Sequence, residues 1–465
     1  MTERILFLTG HLARPRLEKV LAVAGDLDFA WSILDIGVKV AALMTEAIIA
    51  RRLPRPVSAD RVMVPGRCRA DLARLASEFG VPFERGPDEL KDLPAWFGKH
   101  GHAVDLSRHD MRIFAEIVDA SALPVATILA RAQAMCAAGA DVIDLGCLPD
   151  TPFPHLEEAV QELKANGIRV SVDSADPQEL LRGGRAGASF LLSLTELNLD
   201  VAQETGAQPV LIPEPHGDLA SLWRAAEDAD RRGIAAILDP ILDPIHFGFM
   251  ASLARYAEVR RRLPDAEMLM GTGNLTELTD ADSAGVTATL LGICSELHIR
   301  NLLVVQVSPH TRRTIQEHDA ARRIMFAARE DASLPKDYGT ALLALHERKP
   351  FPYSAPEIAE LAAQVKDDNF RIEIAEDGIH VYNRGGHAIA QDALSLFDQL
   401  GVEKDGAHAF YLGTELMRAE IAWRLGKRYV QDEPLDWGCA VDRPKEEDLT
   451  RLREAGHTLR PAPSE

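Results

Sequence analysis

Between residues 113 and about 330 the chain alternates short apolar runs with amphipathic segments of helical period, and it does so about eight times. The runs are 113–119, 141–146, 168–173, 189–195, 209–213, 235–239, 267–271 and 302–308. Between them, segments such as 126–138, 155–166, 219–232, 251–263 and 281–298 place apolar residues three and four apart. A strand, a helix and a second strand in that order form a parallel crossover unit. About eight such units in succession predict a closed (β/α)8 TIM barrel, because an open doubly wound sheet rarely needs so many.

The stretch 137–174 makes the consequence concrete. One apolar run ends on Asp144 and Gly146, an amphipathic segment follows, and the next run ends on Asp173. Side chains at the carboxyl ends of parallel strands face the crevice where such folds bind ligands, although an acid there is also a common helix cap. The same address on the other strands offers Asp119, Thr195, Glu214, Asp239 and Asn274, with Asn198, Asp243, His246 and Ser308 slightly further along. Carboxylates accept from amino and ring N–H groups, and amides both donate and accept, so this set suits a flat, hydrogen-bond-rich heterocycle. A divalent metal is the rival for clustered acids, but no His/Asp pair has tight ligand spacing, and no metal ligands are assigned.

The barrel accounts for residues 111–330. Residues 1–110 read as a small α/β domain, with strands at 5–10, 32–36 and 61–66, helical patterns at 17–24 and 41–52, helix and turn residues from 71 to 99, and a linker at 101–110. Each strand-to-glycine junction there can hold an anion on backbone amides, but such junctions are more often plain turn chemistry. Residues 331–465 form an α+β region: a hairpin of 370–374 and 379–382 around Glu376-Asp377-Gly378, helices at 354–366, 388–400 and 412–425, and a charged, Pro-rich end from Arg443 that is expected to fray.

A formal net charge of −20 argues against a nucleic-acid or anionic-membrane partner, which would need a broad excess of Lys and Arg. The five cysteines are scattered without pairing or metal spacing, as in a reduced cytoplasmic protein, and only Cys147 stands at a strand mouth. The first residues lack the pattern of a secretion signal, and no apolar segment approaches the roughly 20 residues needed to span a bilayer.

Particular strings narrow the ligand. GADVIDLG, then SVDS, Leu238-Asp239-Pro240 and Gly271 to Asn274 resemble, in order and in barrel position, the pterin-binding superfamily of dihydropteroate synthases and pterin-dependent methyltransferases. The resemblance covers residues 113–330. Val307-Ser308-Pro309-His310-Thr311-Arg312-Arg313-Thr314 near its end, with Thr9-Gly10 and Tyr411-Leu412-Gly413-Thr414-Glu415-Leu416 beyond it, resemble the dihydropteroate synthase-related proteins linked to tetrahydromethanopterin synthesis. That resemblance implies a transferase acting on a reduced pterin. Asp173 and Asp239 would hold the ring's N–H edge, Asp144 would take the place of the aspartate of the family's IDxGG string, and Asn274 would lie near N5. Thr195 or Asn198 would stand where the family has an asparagine after its fourth strand, and Asp119 would complete the rim.

Where the synthases carry basic residues for pyrophosphate and aminobenzoate, this chain has Cys147-Leu148-Pro149-Asp150, Gly273-Asn274-Leu275 and Gln306-Val307-Ser308. Departing pyrophosphate needs compensating charge, so ordinary dihydropteroate synthesis is not expected. His310, Arg312 and Arg313 are the candidate catalytic substitutes, with Arg182 and Arg185 as either a phosphate clamp or a solvated helix face, and His216 and His246 as either proton carriers or structural histidines. The resemblance implies condensation of a hydroxymethyl-dihydropterin pyrophosphate with a ribofuranosyl-aminobenzene phosphate, assisted by Mg2+, in a homodimer. The alternatives are one-carbon transfer on a reduced pterin with a corrinoid or protein partner, and pterin binding without catalysis.

Overall fold

In the computed structural model, residues 2–23, 27–88, 90–98, 104–149, 151–347 and 349–442 are described. Residues 101–103 of the expected linker, Asp150 and the Pro-rich end from Arg443 lie outside them.

Eight parallel strands close into a barrel in sequential order: Arg112–Ile117, Val142–Gly146, Val170–Asp173, Phe190–Leu194, Gln208–Leu211, Ile237–Leu238, Glu267–Gly271 and Asn301–Val304. Each falls within or beside a run expected from the sequence. The helices Val125–Ala138, Leu156–Ala165, Leu219–Arg231, Phe249–Arg262 and Ser283–Glu296 match the expected periodic segments to within about two residues at either end. The sharp stops have local causes: Gly139, Gly187 and Gly206 end their helices in the left-handed conformation, which a residue without Cβ adopts freely.

Strand alternation decides what fills the barrel. Phe114, Val142, Phe190, Leu192, Val210, Ile237 and Leu269 point inward and pack together, with the rings of Phe114 and Phe190 edge to face at 4.9 Å between centroids. Emptying such a position, as in Phe114→Ala, costs about 3–5 kcal/mol. Two residues beyond Phe114, Val142 and Ile237, on the same side of their strands, stand Glu116, Asp144 and Asp239. The apolar layer is therefore the floor on which an acidic layer rests.

The chain divides into two compact units. Ile113–Leu290, Leu302–Ala320 and Thr340–Glu465 form one, and Met1–Arg112, Leu291–Asn301 and Ala321–Gly339 the other. Within the first, the C-terminal α+β region is an antiparallel sheet of Arg371–Ala375, Gly378–Asn383 and Gly386–Ala390, covered by helix Gly406–Leu425. The third strand replaces the start of the helix expected at 388–400. His387 pairs with Tyr382 and Ala388 with Val381, and only Leu394–Gln399 coils, as a 3-10 helix. The string around Tyr411 lies on the long helix, where buried Glu415 accepts hydrogen bonds from the Tyr429 hydroxyl at 2.8 Å and the Asp432 amide at 3.2 Å.

The other unit carries a four-stranded parallel sheet in the order Phe29–Asp35, Glu3–Thr9, Arg61–Val64, Phe83–Arg85. Alternate residues feed two cores, Ile5, Phe7 and Met63 on one face and Leu8, Val62 and Val64 on the other, so the strands read as unbroken apolar runs. The expected helix at 41–52 is broken: Ala41–Leu43 is a 3-10 turn, and Thr45 caps a fresh helix, Glu46–Arg52, by accepting the Ile48 amide at 3.4 Å. Among the described residues, no helix is long and apolar enough to cross a membrane.

Candidate functional site

Four carboxyl groups meet at the carboxyl end of the barrel. Glu116 and Asp144 are register partners on adjacent strands, and Gly146 faces Asp173 in the next pair. Carboxylate oxygens of Glu116, Asp144 and Asp173 all lie within 4.8 Å of one another. Asp239, from the sixth strand, adds its charge to Asp173.

Asp144 is wholly buried. One oxygen accepts from the Ser171 hydroxyl, and the other, Oδ2, has no hydrogen-bond partner among the described residues. Burial, then the charges of Asp173 and Glu116, push its pKa far above the usual carboxylate range, and the Ser171 hydroxyl only partly offsets this. Burial together with Glu116 and Asp239 raises Asp173 to about 7. Burial alone raises Glu116 to about 6. Asp239 is likewise pushed up to about 6 by burial, against the Tyr256 hydroxyl at 2.6 Å, the Ile241 amide at 2.8 Å and the nearby charge of Arg255. Like charges pressed together in this way hold protons until N–H donors or a cation replace them.

The loop after the sixth strand is held in an unusual shape. Ile241 has φ +64°, a left-handed conformation costly for a β-branched residue. Arg255 over-determines it by donating to the Pro240 carbonyl at 2.9 Å, the Ile241 carbonyl at 2.7 Å and Asp243 at 2.9 Å. Asp243 also meets His216 at 2.9 Å, so that histidine is engaged in holding the same loop. Asn274, exposed on the seventh loop, donates its side-chain amide to the Leu242 carbonyl at 2.7 Å. The sixth and seventh loops are thereby joined.

The remaining expected residues do other things. Asp119 lies past the end of the first strand and pairs with Arg131 at 2.8 Å, while Glu116, which sequence reasoning missed, stands inside the barrel. Thr195 and Asn198 bond to each other, the Thr195 amide donating to the Asn198 side chain at 2.7 Å. The ring of His310 contacts the Thr276 carbonyl at 3.0 Å. Arg313 donates to the Cys439 carbonyl at 3.0 Å and to Asp442 at 2.7 Å, which ties the end of the described chain to the barrel. Arg312 is exposed and, among the described residues, reaches the Pro309 carbonyl at 3.4 Å. Glu277 gathers the Val307 and Ser308 amides at 2.8 and 2.9 Å and the Thr311 hydroxyl at 2.6 Å, so the 307–314 string is a fixed loop. Arg182 grips Glu157, and Arg185 pairs with Glu204. Burial raises the Cys147 thiol, with Glu179 adding to the effect, which makes it a poor nucleophile.

Glu116, Asp144 and Asp173 supply hard oxygen donors of the kind a divalent cation such as Mg2+ takes, and the partnerless Asp144 oxygen fits that use. The same oxygens suit the N–H edge of a heterocycle.

Fold and mouth together define a TIM-barrel protein with a cluster of buried acids at the carboxyl ends of its strands. A family model described as a family of unknown function (DUF6513) matches residues 3–88. An uncharacterized protein of Methanocaldococcus jannaschii, MJ0107, is 26% identical over an alignment of 525 residues that covers 92% of this chain and 98% of that protein. Among solved structures, a Yersinia pestis dihydropteroate synthase with a pterine-sulfa conjugate is 20% identical at a TM-score of 0.38, covering 49% of this chain and 95% of its own. A Thermus thermophilus dihydropteroate synthase in complex with 6HMPPP is 23% identical at 0.37, over 48% and 95%. Scores this low bear on no functional question.

Proposed function

We propose that the barrel binds a reduced pterin and joins its exocyclic methylene carbon to an arylamine. The reading rests on one observation: acids far apart in the chain, Asp144, Asp173 and Asp239, share the charge balance of a single mouth. A 2-amino-4-oxo ring offers a row of N–H donors along one edge. Asp173 and Asp239 accept from that row, and deprotonate as they do so, while Asp144 and Glu116 keep a shared proton behind them. The strings around Asp144, Asp173 and Asp239 add the sequence resemblance to pterin-binding barrels.

In the reaction, the arylamine nitrogen attacks the exocyclic carbon of hydroxymethyl-dihydropterin pyrophosphate. A C–N bond forms, the C–O bond to pyrophosphate breaks, and the amine proton leaves to water. The site's contribution is to hold the ring and nucleophile in line and to exclude competing water. Mg2+, when bound, supplies charge compensation for the leaving group. The arylamine in this reading is a ribofuranosyl-aminobenzene phosphate, as in tetrahydromethanopterin biosynthesis, and the protein pairs as a homodimer.

A second reading is favoured by a specific feature: His310 and Arg313 are engaged in holding loops, and Arg182 and Arg185 are paired with acids, which leaves little positive charge for pyrophosphate. It is one-carbon transfer on, or simple carriage of, a reduced pterin. Incubating the protein with both substrates and Mg2+ while following pyrophosphate and coupled product separates the two. The first reading expects both products, and their loss in Asp173→Asn. Pterin binding without either product at any Mg2+ concentration overturns the condensation and leaves the second reading.

A further inference from the structure

The small α/β unit has a crevice that the barrel chemistry does not use. Its strand order reverses between Glu3–Thr9, flanked on one side by Phe29–Asp35, and Arg61–Val64 on the other. At such a reversal the loops leaving neighbouring strands part in opposite directions, and open α/β sheets bind ligands there. A cavity of about 290 Å3 lies at this point, beyond the carboxyl ends of the two strands.

Its walls are fixed. A Cβ on Gly10 would stand 2.7 Å from the Ala41 nitrogen, and one on Gly66 would stand 2.6 Å from the Pro87 backbone, so both loops are locked against their neighbours. The lining is mainly apolar, with Leu12, Ala41 and Leu334 among its members. Arg16, Arg67 and Lys336 are the basic residues among its described lining. Arg16 is steadied by the Ser333 hydroxyl at 2.9 Å and lies 5.9 Å from the centre of the Tyr338 ring. Two acids, Asp88 and Asp337, also line the cavity, so among its described lining residues the basic ones outnumber the acidic by one. Thr9 is 2% exposed, and its hydroxyl reaches only the Gly10 carbonyl, at 3.5 Å, too long for a good hydrogen bond.

We propose that this crevice is a second ligand site, for an anionic heterocycle of about mononucleotide size. The apolar wall takes the ring, Asp88 and Asp337 accept from its hydroxyl or amino groups, and the basic trio meets the anion. In the first loop side chains do this, because the amides of His11 and Leu12 donate to the Val38 and Lys39 carbonyls at 2.8 and 3.2 Å. The Thr9 hydroxyl gains a proper partner when the site fills.

Ligand-observed NMR on the full chain tests this with two matched pairs, adenosine 5′-monophosphate against adenosine and indole-3-acetate against indole-3-acetamide. The pairs also distinguish a phosphate from a carboxylate. At least one charged probe is expected to bind about tenfold or more tightly than its neutral partner. Leu12→Glu, at an exposed position on the rim, and Arg16→Gln are each expected to weaken it about tenfold, and Asp173→Asn in the barrel to leave it unchanged. Failure of both charged probes to bind below about 5 mM, equal binding of charged and neutral partners, or full binding by Leu12→Glu overturns the proposal.

Discussion

A Cβ on Gly146 would stand 2.7 Å from Oε1 of Glu116, and this contact explains why the second barrel strand ends in glycine. The bare backbone of one strand gives the carboxyl of its neighbour room to lie beside Asp144 and Asp173. Gly146→Ala is expected to push Glu116 aside and, because Val118 Cα is also within 3.1 Å, to cost about 1–3 kcal/mol in chemical unfolding. A variant as stable as the parent would mean that Glu116 does not rest there.

The acids make the ligand-free protein sensitive to alkali. Glu116, Asp173 and Asp239 titrate near 6, 7 and 6 in the folded chain, against 4.5, 3.8 and 3.8 ordinarily, so the folded state holds extra protons in between. Stability is therefore expected to fall as pH rises from about 4 through about 7, with Asp144, also raised, extending the fall upward, by something on the order of 1–3 kcal/mol once water at the mouth is allowed for. Urea unfolding across that range checks it; a flat or rising profile contradicts it.

Asp144→Asn separates stability from function. An amide of the same shape is neutral without having to hold a proton, and its N–H groups can donate to Glu116 and Asp173. Expected is a gain of about 1–3 kcal/mol at pH 8 together with weaker pterin binding. Thermal unfolding and ligand titration of the same sample read both, and a destabilised variant would contradict the geometry.

Arg255 is expected to matter through the loop it shapes. Arg255→Ala leaves Asp243 buried beside an unsupported left-handed Ile241 and should cost about 3 kcal/mol. Adding Ile241→Gly should return about 1 kcal/mol, because glycine adopts that conformation freely. No recovery in the double variant would show that the loop is not strained.

How much of this was legible in the sequence depends on the element. Asp144, Asp173 and Asp239 could be read because an apolar run ending in an acid marks a strand mouth without any knowledge of register. Glu116 was hidden by a run that continues through Ile117 and Val118 to Asp119. Period-two counting from Phe114, as from Val142 to Asp144, would have found it. Phe83–Arg85 was missed because three residues, two of them charged, carry no strand signal once they lie at a sheet edge. Residues 388–390 read as the start of a helix because two alanines flank the single β-branched Ile389, and pairing with Gly378–Asn383 decides otherwise. The partners of His310 and Arg313, namely Thr276, Cys439 and Asp442, are tertiary facts that no local pattern announces.

The central claim is that acids from separate strands jointly read one N–H-rich ring edge. Calorimetric titration of 6-hydroxymethyl-7,8-dihydropterin near pH 6.5, in buffers of different ionisation enthalpy, measures both affinity and proton release. The account predicts one site per chain, release of protons on binding as Asp173 and Asp239 ionise, and a loss of about a hundredfold or more in affinity in Asp173→Asn and in Asp239→Asn. Binding without proton release that both variants retain in full would contradict it.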